Sequence, residues 1–317
     1  MDEVLNPAYV GNEHILIENA PELASFCYRE KANHKFAIWV IKKSAATLKK
    51  LDYGDNGSRG LKDFMLNDDG QVVVYPKLRD MRVFDSSDAK SELTTDKSLV
   101  PFPALHHLSV NSSCAFKDNT LFRGSSDSLI SLDIGLHRRF VDIFRKYKVF
   151  SQGAYPNIIH VTARLDNKHG LTLPSDEFAE AAFGLVSPST QSIKLIGDVS
   201  YQHIASAIPA CPYLENIQIL FLVIDEMSLL EILGILKYFP LVTDFGCSFW
   251  GIDSELAEIQ DKLIPSHLGA QYSQLSSRLK CWNAYYSVGS VEMTEKDMTE
   301  QLGISLAVAY TTGIPND

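Results

Sequence analysis

The chain has little of what usually announces a chemistry. Its 317 residues hold five cysteines, Cys27, Cys114, Cys211, Cys247 and Cys281. They are odd in number, far apart and without a C-x-x-C pair, which excludes a disulfide framework and a local redox or zinc motif and leaves reduced, mostly buried thiols. No run of about 18 apolar residues is present, so no transmembrane helix is expected. The opening MDEVLNPAYVGNEH is acidic and lacks an apolar core, unlike a signal peptide. A cytoplasmic or nuclear location follows, and Asn56-Gly57-Ser58 and Asn111-Ser112-Ser113 then match the glycosylation pattern by chance. Positive charge is also scarce. With 29 Lys and Arg against 39 Asp and Glu, the formal charge is −10, which argues against binding nucleic acid or an anionic membrane and favours solubility.

Catalytic signatures are missing as well. There is no G-x-S-x-G elbow. The glycine-rich stretch Asp52–Gly60 reads as a polar turn after a strand and lacks the G-K-[ST] ending of a phosphate loop. His106 and His107 are adjacent, and adjacent strand residues point to opposite faces, so they do not form a metal pair. His137, His160, His169 and His203 are scattered, none at zinc-ligand spacing from a cysteine. Asp225-Glu226 reads as a helix start favoured by the macrodipole. The expectation is a non-catalytic chain with no metal and no cofactor.

What is present is a repeat. In FPALHHLSV, Leu105, Leu108 and Val110 follow Pro103 with the spacing L-x-x-L-x-V. The phrase recurs at Leu23, Phe26 and Tyr28; Leu48, Leu51 and Tyr53; Leu78, Met81 and Val83; and Leu129, Leu132 and Ile134. Further on it recurs at Ile158, Val161 and Ala163; Thr190, Ile193 and Leu195, the weakest copy; Leu214, Ile217 and Ile219; Val242, Phe245 and Cys247; and Leu279, Trp282 and Ala284. These are about ten copies, roughly 24 to 37 residues apart, mostly within the 20–29 residue period of leucine-rich repeats. Positions four and six alternate and point to one face of a short strand, while the first position sits on the turn that enters it. A proline ahead of many copies fixes φ and stops the preceding helix. One such unit cannot bury its apolar side alone, but stacked neighbours can.

Between the phrases the period moves toward 3.6. Helices are expected around Phe36–Ile41, Phe140–Phe144, Ile204–Ile208, Met227–Phe239 and Leu256–Ile264. Asp85–Ser98 reads as an exposed loop. Strand followed by helix, repeated, predicts an α/β chain. Its form would be one irregular leucine-rich-repeat-like solenoid over 1–317, the repeats running from about residue 20 to 310. Parallel strands would line the concave face, near 23–28, 48–53, 78–83, 105–110, 129–134, 158–163, 193–196, 214–219, 242–247 and 279–284, with helices on the convex face. The same βα alternation also builds the (β/α)₈ barrel of many enzymes. Ten units rather than eight, and no carboxylate cluster at the strand ends, count against that alternative. A structural scaffold is a third reading.

In a solenoid the residues between the apolar positions face the concave sheet surface. They are Asp80 and Arg82, His107 and Ser109, Ser131 and Asp133, His160 and Thr162, Asn216 and Gln218, and Asp244. This polar stripe is the expected surface for an unidentified protein partner, with Arg82 and His160 as its expected anchors.

The order of FPALHHLSV, FKDNTLFRG, SLISLDIGL, YKVFSQGAYPNIIHV and SSRLKCWNAYYS resembles fungal F-box and leucine-rich-repeat-like proteins over about residues 75–310. In such families an N-terminal F-box binds a Skp-type adaptor of a cullin ubiquitin ligase, and the repeats select the substrate. The resemblance therefore implies substrate recognition, with a Skp-type adaptor as partner wherever an F-box is present. No F-box-like run precedes Leu23, and the usual asparagine ladder is absent, since nine positions beyond Leu105 lies Ser113 and beyond Leu214 lies Leu222.

Overall fold

The structure, a computed structural model, describes residues 23–29, 34–55, 62–85, 100–110, 127–138, 141, 155–165, 173–197, 199–224, 234–250, 281–287 and 306–307. The chain is mixed α/β and divides into two compact units. The first is Met1–Gly135 with Asp142–Val149, the second Leu136–Val141 with Phe150–Asp317.

The first unit carries β1 (Ser25–Tyr28), β2 (Lys50–Asp55), β3 (Asp80–Asp85), β4 (His107–Val110) and all but the last residue of β5 (Ser131–Leu136), with α1 (His34–Lys43) and α2 (Lys62–Met65) between strands. Each strand pairs in parallel with the next in sequence. The second unit carries β6 (His160–Leu165), β7 (Ser192–Ile196), β8 (Ile219–Ile224), β9 (Asp244–Trp250), β10 (Cys281–Ser287) and β11 (Leu306–Ala307), with α3 (Ser175–Gly184) and α4 (Tyr201–Ala207). These strands too are parallel and paired in sequence order.

The period-two pattern sorts most strands as anticipated, but not the copy at 214–219, where Leu220 is buried and Ile219 is exposed. Leu51, Met81, Leu108, Leu132, Val161, Ile193, Leu220 and Phe245 are all buried. Most strands begin two residues later than the phrase and run past its end. The first leucine closes a tight turn before the ladder starts. Leu78 N–H donates to Tyr75 O at 3.3 Å and Ile158 N–H to Tyr155 O at 3.3 Å. For the same reason Asp52 to Asp55, read as the start of a polar turn, are strand.

A repeated hydrogen-bond fork sets the register. The carbonyl of the residue just after each turn accepts the amides of two consecutive residues in the next repeat. Ala24 O takes Lys49 and Lys50, Arg79 O takes His106 and His107, and His106 O takes Ile130 and Ser131. Gln191 O takes Gln218 and Ile219, and Gln218 O takes Thr243 and Asp244.

That fork corrects one repeat. Gln218 occupies the place of His106, so the copy there is Ile217, Leu220 and Leu222, not Leu214, Ile217 and Ile219. The strand is Ile219–Ile224, not 214–219. Pro212 misdirects the reading. It opens an earlier turn, and residues Leu214–Asn216 form a 3₁₀ turn instead of a strand.

Aromatic contacts bind the repeats of the first unit. Tyr28 stacks on Tyr53, Tyr53 meets Phe64 edge-on at 5.4 Å, Phe64 meets Tyr75, and Tyr75 meets Phe102 at 5.6 Å. The α1 helix forms where expected. Ala37, Ile38, Val40 and Ile41 are buried, and Lys42 and Lys43 lie in its last turn, where the dipole favours cations. The α3 helix was not anticipated. Alanines and phenylalanines bury it through Phe178, Ala179, Ala182 and Phe183, and its apolar run is too broken by Glu180 to stand out. Its acidic first turn, Asp176 and Glu177, was the available signal. The expected helix at 256–264, most of those at 140–144 and 227–239, and the loop at 86–98 lie outside the described residues.

Candidate functional site: the solvent face of the sheet

In the first unit the register aligns the interleaved residues in two rows. One is Lys50, Asp80, His107 and Ser131, and the other is Asp52, Arg82, Ser109 and Asp133. Six of the expected site residues, Asp80, Arg82, His107, Ser109, Ser131 and Asp133, therefore share one face. His107 Nε2 lies 3.9 Å from Asp80 Oδ1, both side chains about half exposed. The Ser109 hydroxyl donates to Asp133 Oδ2 at 3.2 Å. Arg82 is exposed between Asp52 and Ser109.

Asp52 was missed, although the interleaving rule applied to Leu51 and Tyr53 yields it. It is nearly buried and accepts two bonds from Arg29, Nε to Oδ1 at 3.3 Å and Nη2 to Oδ2 at 2.6 Å. This bond raises the guanidinium above its usual range.

In the second unit three expected residues lie on the face. His160 is exposed, Thr162 is half-buried, and Asp244 accepts at Oδ2 from Thr243 Oγ1 at 2.7 Å. Asn216 and Gln218 do not. Asn216 sits in the 3₁₀ turn and donates through Nδ2 to Pro188 O at 3.1 Å. Gln218 belongs to the fork ahead of the strand. The face residues of that repeat are Ile219 and Phe221, beside Ser192 and Lys194 of β7. The polar stripe is thus interrupted by an apolar repeat.

His106 lies off the face, in the fork position, its ring 6.3 Å from that of His107 and nearly perpendicular to it. Among the described residues no group of three or more His, Cys, Asp or Glu gathers in a form that could hold a metal ion. Among them, too, no helix is long and apolar enough to cross a membrane. Cys27 is exposed, against expectation, because the short β1 leaves its alternate positions open, whereas Cys211 is buried.

Hydroxyls and one amide serve between repeats. Thr47 Oγ1 donates to Leu23 O at 3.0 Å, Ser128 Oγ to Leu105 O at 2.9 Å, and Thr190 Oγ1 to Ile158 O at 3.0 Å. Each satisfies a turn carbonyl of the preceding repeat, which an apolar packing would leave without a partner. No family model matches the chain, and no curated protein matches it.

Proposed function

We propose that the chain is an irregular leucine-rich-repeat-like solenoid that binds a protein partner across the solvent face of its parallel strands and carries out no catalysis. The supporting observation is the register. Strand after strand places its interleaved residues in common rows, and in the first unit those rows hold Asp52, Asp80, Arg82, His107 and Asp133. Rows of this kind spread a recognition surface over several repeats. The order of phrases, which resembles that of fungal F-box and leucine-rich-repeat-like proteins, supports reading that binding as substrate selection for a ubiquitin-ligase component. The chain would act in the cytoplasm or nucleus.

Two measurements test this reading. Small-angle X-ray scattering of the purified chain should give the elongated profile of an open repeat array, and the profile of a closed barrel would overturn the solenoid. Mixing the chain with a Skp-type adaptor tests the ligase role. Co-elution would support it, and separate elution at high concentration leaves a scaffold that binds proteins without a ligase.

A further inference from the structure

The face of β6, β7 and β8 differs chemically from that of the first unit. Its interleaved positions are His160, Thr162 and Arg164; Ser192, Lys194 and Ile196; and Ile219, Phe221 and Val223. None is a carboxylate, and two are fixed cations, in a chain of net charge −10. At its centre is an apolar spot. Ile219 is 42% exposed, and the Phe221 ring lies beside it in the next row. The ring is held on both sides. Lys194 Nζ stands 4.6 Å from its centroid. On the other side Gly246 gives it room, since a Cβ at that position would collide with Cδ2 of the ring. The face carboxylate nearest in register, Asp244 on β9, is engaged by the Thr243 hydroxyl.

We propose that this face docks an acidic polypeptide segment bearing one apolar side chain, and the inference rests on the protein-binding reading above. The apolar side chain would lie against Ile219 and the edge of Phe221, which removes both from water. A carboxylate beside it would meet Lys194. A lysine over an aromatic face keeps three N–H donors and the ring face offers no carboxylate oxygen, so the ammonium is available to an acidic partner. Charge complementarity selects an acidic segment over a basic one, and the apolar centre selects a polypeptide over a polyphosphate chain.

The test uses the full chain and three fluorescently labelled synthetic peptides, read by polarisation. One peptide has glutamates around a single leucine, the second replaces the leucine by alanine, and the third replaces the glutamates by lysines. The leucine-centred acidic peptide should bind on the order of ten-fold tighter than either of the others. Lys194→Glu should weaken it by roughly ten-fold and Ile219→Ser by several-fold, while Lys50→Glu, on the first unit's face, should change nothing. Added salt should weaken the contact. If Lys194→Glu alters the circular dichroism melt, Lys194→Ala takes its place.

Equal binding of the three peptides, no binding of the acidic one, or affinity insensitive to every one of these substitutions overturns the inference. So does tighter binding of a single-stranded oligonucleotide at the same face. Preference for the basic peptide, lost on Asp80→Lys or Asp133→Lys, would overturn it too, yet would leave the protein-binding reading standing on the first unit.

Discussion

Tyr75 is fully buried, and its hydroxyl donates to Phe64 O at 2.7 Å. Burial pushes its pKa well above the ordinary tyrosine value, and Tyr155 is shifted the same way. Above about pH 10 the unfolded chain loses these protons while the folded chain keeps them, so the unfolded state binds fewer protons and stability falls as pH rises. Urea melts in a pH series should show stability unaffected by these groups below about pH 9 and declining above about pH 10. Tyr75→Phe should shrink that decline and cost about 1–2 kcal/mol at neutral pH, since the Phe64 carbonyl stays buried without its donor. The thiols offer a second residue-scale contrast. Burial raises the Cys211 pKa, and its Sγ donates to Phe183 O at 3.5 Å. Iodoacetamide followed by peptide mapping should label Cys27 in the folded chain and Cys211 only after unfolding. Among glycines, Gly70 sits at φ +76° with open space around a would-be Cβ, so Gly70→Ala should cost about 1 kcal/mol of backbone strain alone.

At the scale of the element, the buried and interleaved positions of one strand should respond differently. Leu132→Ala or Leu108→Ala should cost roughly 2–5 kcal/mol in thermal or denaturant melts, whereas Ser131→Ala and Thr162→Ala should stay within about 0.5 kcal/mol. Comparable losses at both sets would contradict the register. This alternation was legible because a two-residue period survives even in the weak copy, where Thr190 replaces leucine and satisfies its hydroxyl on Ile158 O. The copy at residues 214–219 was misplaced because Pro212 precedes a 3₁₀ turn as readily as a strand. The sequence holds the correct spacing, Ile217, Leu220 and Leu222, only three residues on. With that shift, Asn216 and Gln218 left the candidate site, and Ile219 and Phe221 entered it. Side-chain partners such as Arg29 with Asp52 were not legible, since they join residues 23 apart that only the β1–β2 register brings together.

For the whole molecule, the proposed recognition spread over several strands implies shallow responses to single changes and a steep one to paired changes. In a complex with the identified partner, Arg82→Glu combined with Asp133→Lys should weaken binding by an order of magnitude or more, at unchanged circular dichroism. Either change alone should have a small effect, and unchanged affinity in the double variant would move the contact off the first unit's face. The forked carbonyls described earlier also have a mechanical meaning. Within one junction the two N–H bonds resist together, but successive junctions form links in series, so tension on a unit's ends falls on its outermost link first. When a link opens, its repeat pays out as slack before the next is stressed. The 27 residues from Leu78 to Leu105 would release about 90 Å of chain at roughly 3.5 Å per residue. Stretched in an optical trap, each unit should lengthen in discrete steps of that order, as a ratchet yields tooth by tooth, and not in a single rupture.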